Sequence, residues 1–187
     1  MNKSRAAILS ALFVIPTFLT ASATPPEELG PLRGVPADVQ VEPDFNPEDG
    51  YLLVDGSGEE TYVSPGDVSL DGTSVEGEAG TAAVCGSKIA VVPGTGTWYT
   101  TTDGCATIGI TADATRGYEW GRYSYSGSAC SQARGYRMYY GVYQPFWGGM
   151  GCGTSGGGYI AWGKVASVGK MKFVSTSVPV GLQVLWR

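Results

Sequence analysis

Charged and aromatic residues are segregated along this chain of 187 residues, and that segregation limits where a compact core can form. Residues 24–80 contain 14 acidic side chains and one basic side chain, Arg33, whereas residues 81–187 contain nine basic side chains and three acidic ones. All five tryptophans and nine of the eleven tyrosines also lie in residues 81–187. A segment with high charge and few large apolar residues buries too little surface to offset the chain entropy lost on folding. We therefore predict a folded domain at residues 81–187, preceded by a largely disordered acidic segment or propeptide at residues 24–80.

The first 23 residues have the pattern of a secretory signal peptide. Lys3 and Arg5 provide a positive start, residues 6–19 are apolar, and residues 21–23 form a small-residue cleavage site. The apolar run is interrupted by Pro16 and is shorter than the roughly 20 residues that a membrane-spanning helix needs. We therefore predict a secreted, extracellular protein that loses residues 1–23 and has no membrane span.

Two parts of the acidic segment differ in composition. Six prolines lie between residues 25 and 47, and they favour an extended chain. Residues 51–54 and 61–63 have strand composition and flank a glycine turn, so they predict a hairpin. An isolated hairpin is marginally stable in water, so this one is expected to pack either on the basic domain or on a partner. Residues 44–50 resemble a calcium loop, but Pro47 and a misplaced glycine argue against a metal site.

Residues 81–187 have the short strand-like runs and intervening turn residues that are typical of a β domain. Strand-like runs at residues 88–92, 97–102 and 105–111 are separated by glycine turns and predict a meander, in which Asp103-Gly104 forms a hairpin turn. Further runs with strand composition follow, at residues 118–125, 135–144, 159–165, 170–175 and 178–186. The glycine-rich residues 146–158 predict an irregular loop. The fold class is therefore all-β, as a small disulfide-stabilised sandwich or barrel of about eight antiparallel strands.

Four cysteines lie in this domain, at positions 85, 105, 130 and 152. They allow three disulfide connectivities. The meander register brings Cys85 alongside Cys105, which favours that pair and leaves Cys130 with Cys152. A four-thiolate zinc site is the rival interpretation, but such sites use closely spaced cysteine pairs, which this chain lacks. We predict two disulfides, no metal and no cofactor.

The absence of histidine restricts the chemistry that this chain can perform. Ser-His-Asp, Cys-His and histidine-liganded zinc mechanisms are excluded within the chain. Residues 81–187 contain three carboxylates, of which Asp113 and Glu119 are the candidate pair for a glycosidase-type hydrolase. We favour the alternative that both residues are surface charges without a catalytic role. We predict a non-catalytic protein.

Aromatic and basic residues are most concentrated at residues 134–147. In a strand, Tyr136, Met138, Tyr140 and Val142 share one face, which we assign to the core, while the opposite face is suited to recognition. Sugars, anionic ligands, proteins and single-stranded nucleic acid are all compatible with that composition, and secretion disfavours nucleic acid. The predicted partner is another secreted protein, or a cell-wall polymer or anionic surface. The candidate binding residues are Arg134, Arg137, Tyr139, Tyr143, Phe146 and Trp147, together with Tyr51, Leu52, Leu53 and Val54 of the acidic hairpin.

The order of signal peptide, acidic segment and four-cysteine domain, which opens with residues 84–87 (Val-Cys-Gly-Ser), resembles that of small secreted actinobacterial proteins. The layout is similar to spore-associated secreted proteins and to adaptor subunits of secreted toxin particles. The adaptor resemblance implies that the N-terminal segment inserts into one partner while the β domain binds another.

Three functions are therefore compared. The leading hypothesis is a non-catalytic binding or adaptor module, whose acidic arm docks on a partner while its β domain makes a second contact. The second is a cationic antimicrobial or toxin that an acidic propeptide neutralises. The third is a secreted hydrolase that uses Asp113 and Glu119.

Overall fold

A computed structural model describes residues 35–47, 50–64, 85–124, 126–177 and 179–187, and the predicted signal peptide lies outside these ranges. The described residues form strands and loops and include no helix, so they offer no helix able to span a membrane. The strands are β1 (Gln40–Val41), β2 (Tyr51–Val54), β3 (Glu60–Val63), β4 (Lys88–Val92), β5 (Tyr99–Thr100), β6 (Ala106–Gly109), β7 (Thr115–Ser124), β8 (Ala129–Tyr139), β9 (Val142–Gly153), β10 (Ser155–Ala161), β11 (Val165–Val168), β12 (Met171–Ser175) and β13 (Leu182–Trp186). The all-β prediction is confirmed.

The strands form three sheets. Sheet A has the order β1-β11-β6-β2-β3, sheet B the order β10-β7-β13-β4, and sheet C the order β5-β12-β8-β9. Most pairs are antiparallel, and the two parallel pairs, β1 with β11 and β2 with β6, both join a strand of the acidic segment to a strand of the basic half. Parallel neighbours need a long connection, which the sequence separation of these strands supplies.

Sheets B and C enclose the main core. Side chains alternate between buried and partly exposed along β12 and β13, as expected when one face of a sheet is covered. Trp120 of sheet B meets Phe173 of sheet C edge to face, with ring centroids 5.5 Å apart. Trp162 is fully buried in the same core. Trp162 also meets Tyr136 of β8 edge to face, with ring centroids 5.1 Å apart, and so joins β8 to this core.

The hairpin β2–β3 is part of sheet A. Leu52 and Val54 are buried in the main core, while Tyr51 packs on the other face of sheet A with Phe45 and Ile108. The hairpin therefore docks on the basic domain, which is one of the two alternatives considered above. The folded unit thus reaches N-terminally beyond the boundary predicted at residue 81.

Ion pairs help to hold one described part of the acidic segment, residues 35–47, on the basic domain. Asp44 lies 2.8 Å from the guanidinium of Arg134 and 3.4 Å from the ammonium of Lys170, and Asp38 lies 2.6 Å from the ammonium of Lys164. Asp38 and Asp44, two of the acidic charges that suggested disorder, are therefore matched by cations of residues 81–187. Composition alone reports the net charge of each segment and contains no information on this pairing.

The Asp44 cluster predicts acid lability. Partial burial alone would raise the pKa of Asp44, but hydrogen bonds from Arg134 and Ser167 and the charges of Arg134 and Lys170 hold that pKa below its ordinary value of 3.8. A carboxylate with a lowered pKa stabilises the fold above its unfolded-state pKa, and this contribution is lost as the pH falls through the folded-state pKa. We expect the free energy of unfolding, measured with urea, to decrease when the pH is lowered below about 4. Asp44→Asn should lower stability at neutral pH and flatten this dependence, whereas an unchanged dependence would contradict the assignment.

Both predicted disulfides are confirmed, Cys85 with Cys105 and Cys130 with Cys152. The meander that suggested the first pair is wrong, because β4 pairs with β13, and β5 with β12. Gly104 does not form a hairpin turn. It allows two backbone segments to approach closely, and its N–H donates a hydrogen bond to the carbonyl oxygen of Gly169 at 2.7 Å. A Cβ there would lie 2.8 Å from that oxygen.

Residues 146–158, predicted to be an irregular loop, form most of β9 and the start of β10. Their glycines allow strands to approach closely. A Cβ on Gly156 would lie 2.2 Å from the Met150 carbonyl oxygen, and one on Gly157 would lie 2.5 Å from that of Tyr118. Crowding in the sheet therefore accounts for Gly156 and Gly157, while Gly151 and Gly153 have positive φ, 94° and 137°.

Candidate functional site: the tip of the β8–β9 hairpin

Strands β8 and β9 form a long antiparallel hairpin closed by Tyr140 and Gly141. Both turn residues have positive φ, 49° for Tyr140 and 82° for Gly141. Positive φ at both central positions defines the turn whose twist matches the flanking strands. Gly141 adopts this conformation without strain. Tyr140 is the one non-glycine residue with positive φ in the part of the chain that the structure describes.

Apolar side chains surround this turn and face solvent. Met138 is 54% exposed, Tyr139 53%, Tyr140 91% and Val142 53%. The rings of Tyr139 and Tyr140 contact each other edge to face, with centroids 4.4 Å apart. We call residues 138–142 the hairpin tip. It projects beyond Tyr136 and Tyr143, which are the buried residues nearest the turn on β8 and β9.

The predicted division of this segment into two faces is wrong in part. Met138, Tyr140 and Val142 were assigned to the core and are exposed, while Tyr143 was assigned to recognition and is buried. The backbone N–H and C=O of Tyr143 each bond to the side-chain amide of Gln40, at 2.9 Å. Alternation fails because the turn interrupts one continuous strand register and because the core ends before the hairpin does.

The other candidates of this segment have separate roles. Arg134 binds Asp44 and Ser167 and is mostly buried, so it stabilises the fold. Arg137 is exposed beside the hairpin tip, and its guanidinium lies 5.4 Å from the centroid of the half-buried Phe146. Trp147 lies farther from the turn on β9, under the ammonium of Lys172 at 4.3 Å. The structure therefore brings Arg137 and Tyr139 together at the tip, and separates Arg134, Tyr143 and Trp147 from it.

The four candidates of the acidic hairpin do not form an open docking surface. Tyr51 and Val54 are fully buried, Leu52 is buried, and Leu53 is half-buried against the second core cluster. Their apolar surface packs within the chain itself. This corrects the prediction that these residues bind a partner.

The carboxylates proposed for hydrolysis lie apart. Asp113 precedes β7 and places its carboxylate where Gly56 has no side chain, whereas Glu119 lies within β7 and binds Arg187 at 2.7 Å. Asp113 and Glu119 therefore contact different parts of the chain, whereas a glycosidase needs its two carboxyl groups to face each other across the sugar. The described residues contain no group of three or more His, Cys, Asp or Glu side chains able to hold a metal.

A cleft of about 640 Å³ lies over Gly117 of β7, with Glu60, Glu119 and Tyr159 at its sides. Glu60 accepts a hydrogen bond from the N–H of Gly117 at 3.3 Å, and Glu119 is held by Arg187. Both carboxylates therefore make contacts within the chain. The hairpin tip, in contrast, is built from side chains that make few such contacts.

Comparison with protein-family models, with curated proteins and with solved structures found no match to this chain.

Proposed function

We propose that this chain is a secreted, non-catalytic adaptor module that binds another protein through the hairpin tip. The observation that carries the proposal is Tyr140, a large ring that is 91% exposed in a backbone conformation with φ of 49°. Its position offers neither core packing nor relaxed backbone geometry.

Tyr140 is unfavourable for folding. A side chain with a Cβ in the left-handed region costs about 1–2 kcal/mol, which asparagine, aspartate and glycine largely avoid. Turns of this kind therefore favour Asn-Gly, where this chain has Tyr-Gly. Strained residues of this sort are concentrated at functional sites. A binding role gives a reason for a tyrosine that the hairpin itself does not need.

The chemistry of the tip suits a protein partner. Tyrosine and arginine are enriched among the residues that dominate binding energy at protein interfaces. Methionine adapts its shape to irregular surfaces, and Arg137 adds one positive charge beside the rings. The complementary surface is therefore apolar with an acidic rim. The two disulfides are consistent with an oxidising, extracellular-type compartment.

A second exposed apolar patch supports the adaptor role. Ile89 and Val91 of β4 are 50% and 60% exposed, and Leu185 of β13 lies directly opposite Ile89. These residues lie on the outer face of sheet B, whose other face packs on sheet C. A bridging protein needs two separate contact surfaces, and in this proposal both belong to the β domain.

Replacing Tyr140 with asparagine separates binding from folding. We expect Tyr140→Asn to unfold at the same or higher urea concentration, because asparagine tolerates positive φ. Affinity for the secreted partner should fall about tenfold or more, since a central aromatic anchor is lost. The measurement is quantitative capture of proteins from the culture medium of the producing organism, with the immobilised chain as bait.

Tyr159→Asn is the matched control, because Tyr159 is also strongly exposed but lies in β10, away from the tip. Capture should survive this change. Equal capture by the wild type and Tyr140→Asn would contradict the proposal. Binding of the tip to lipid vesicles in place of a protein would contradict it as well.

A further inference from the structure

A lysine lies between two tryptophans on the outer face of sheet C. The ammonium nitrogen of Lys172, on β12, is 4.3 Å from the ring centroid of Trp147 and 5.7 Å from that of Trp98. Trp147 belongs to the edge strand β9, and Trp98 directly precedes the opposite edge strand β5. Tyr99 pairs with the buried Phe173, so its neighbours Trp98 and Thr100 point outwards. Trp98 is 46% exposed.

A row of polar side chains crosses the sheet at the same level. Thr100 and Gln132 lie directly opposite Lys172 on its two neighbouring strands, and Gly149 lies opposite Gln132. Within the described ranges, the side chains of Thr100, Gln132 and Lys172 make no hydrogen bond or ion pair. A Cβ on Gly149 would have no atom within 4 Å, so the surface there is open. We call Trp98, Thr100, Gln132, Trp147 and Lys172 the indole platform.

Lys172 differs from the other lysines that the structure describes. Lys88 donates to the carbonyl of Asp103, Lys164 binds Asp38, and Lys170 binds Asp44 and Asp103. The ammonium of Lys172 contacts aromatic faces and has no anionic partner among the described residues. An anion supplied by a ligand would complete its surroundings.

We propose that the indole platform binds an acidic polysaccharide. The exposed ring of Trp98 offers apolar area on which the CH groups of a sugar ring stack, because indole is flat and electron-rich, and the ring of Trp147 holds the ammonium of Lys172 beside it. The amide of Gln132 and the hydroxyl of Thr100 are free to exchange hydrogen bonds with sugar hydroxyls. Lys172 lies between the rings and attracts the carboxylate of a uronic acid. A row across a sheet face suits an extended polymer better than a small enclosed ligand.

Titration with a short oligogalacturonate tests the site, with tryptophan fluorescence as the readout. We expect saturable binding that weakens as salt is added. The methyl ester of the same oligosaccharide keeps the sugar rings and removes the charge, and it should bind about tenfold more weakly. Trp98→Ala and Lys172→Met should each weaken binding of the acid about tenfold. Lys172→Met should in addition abolish the preference for the acid over the ester.

Two controls keep the test decisive. Trp98 is partly exposed and Lys172→Met keeps an apolar stem, so both variants are expected to fold, which their urea unfolding curves verify. Tyr159→Ala removes an exposed ring from another sheet and should bind normally, and so should Tyr140→Asn. Absence of saturable binding, equal binding by Trp98→Ala, or tighter binding of a single-stranded oligonucleotide would each overturn the proposal. The cation–aromatic contacts would then serve stability alone.

Discussion

A chain that begins at residue 81 should fail to fold. It lacks β1, β2 and β3, and with them Phe45, Tyr51 and Val54, which are buried against residues of the basic half. Burial of each large apolar side chain contributes about 1.5–3 kcal/mol, and the whole stability of a domain is about 5–15 kcal/mol. The stabilisation lost with these three side chains therefore approaches the whole free energy of unfolding of the domain. Residues 81–187 alone should show poor chemical-shift dispersion by NMR and no cooperative urea transition.

The chain from residue 24 to 187 is the control, and it should unfold cooperatively. The comparison also addresses the toxin hypothesis, in which residues 24–80 are a removable propeptide. A well-dispersed spectrum and a cooperative transition for residues 81–187 would contradict the role assigned to the acidic segment. They would also restore the propeptide as the better explanation.

Removing either disulfide should destabilise the domain by about 3 kcal/mol, because each closes a loop of about 20 residues in the unfolded chain. Cys130 and Cys152 lie directly opposite each other on β8 and β9, so this bridge also fixes the register of the hairpin that carries the tip. The double variant Cys130→Ala/Cys152→Ala should shift the urea midpoint accordingly and should weaken partner binding.

The variant Cys85→Ala/Cys105→Ala is the matched comparison. Its bridge closes a loop of similar length, with separations of 20 and 22 residues for the two disulfides. It should lose similar stability and retain partner binding under conditions where both variants are folded. If both pairs could be removed at a cost below about 1 kcal/mol, the contribution assigned to the bridges would be wrong.

The sequence predicted those features that depend on local pattern. Strand-like runs bounded by glycine identified the all-β class, and β4, β12 and β13 lie close to their predicted positions. The cysteine pairing was also correct. The reasoning that led to this pairing was wrong, because it assumed that strands adjacent in sequence pair with each other. In the structure β4 pairs with β13, at the far end of the chain.

The described parts of the acidic segment, residues 35–47 and 50–64, were harder to predict, because their structure depends on contacts distant in sequence. Asp44 meets Arg134, 90 residues away, and Gln40 bonds to the backbone of Tyr143, 103 residues away. The net charge of the segment predicts disorder, because it is counted within the segment and leaves out the compensating cations, which lie elsewhere in the chain. The Tyr51–Val54 run did give a local signal, since an apolar hairpin needs a surface on which to pack.

The candidate site was predicted in part. Arg137 and Tyr139 were identified from composition, but Tyr140 was assigned to the core because the segment was treated as one strand. The dipeptide Tyr140-Gly141 between two strand-like runs was the available signal for a turn. Trp98 and Lys172 had no such signal, because the paired residues Thr100 and Lys172 of β5 and β12 are 72 residues apart and are joined only by the sheet.

Photo-crosslinking from position 140 tests the proposed function most directly. A benzoylphenylalanine placed at Tyr140 of the full chain should, on irradiation in the native medium, give one defined conjugate with a partner protein. The same group at Tyr159 should give none. The absence of a conjugate from position 140, or identical conjugates from both positions, would contradict the assignment of the hairpin tip as the binding surface.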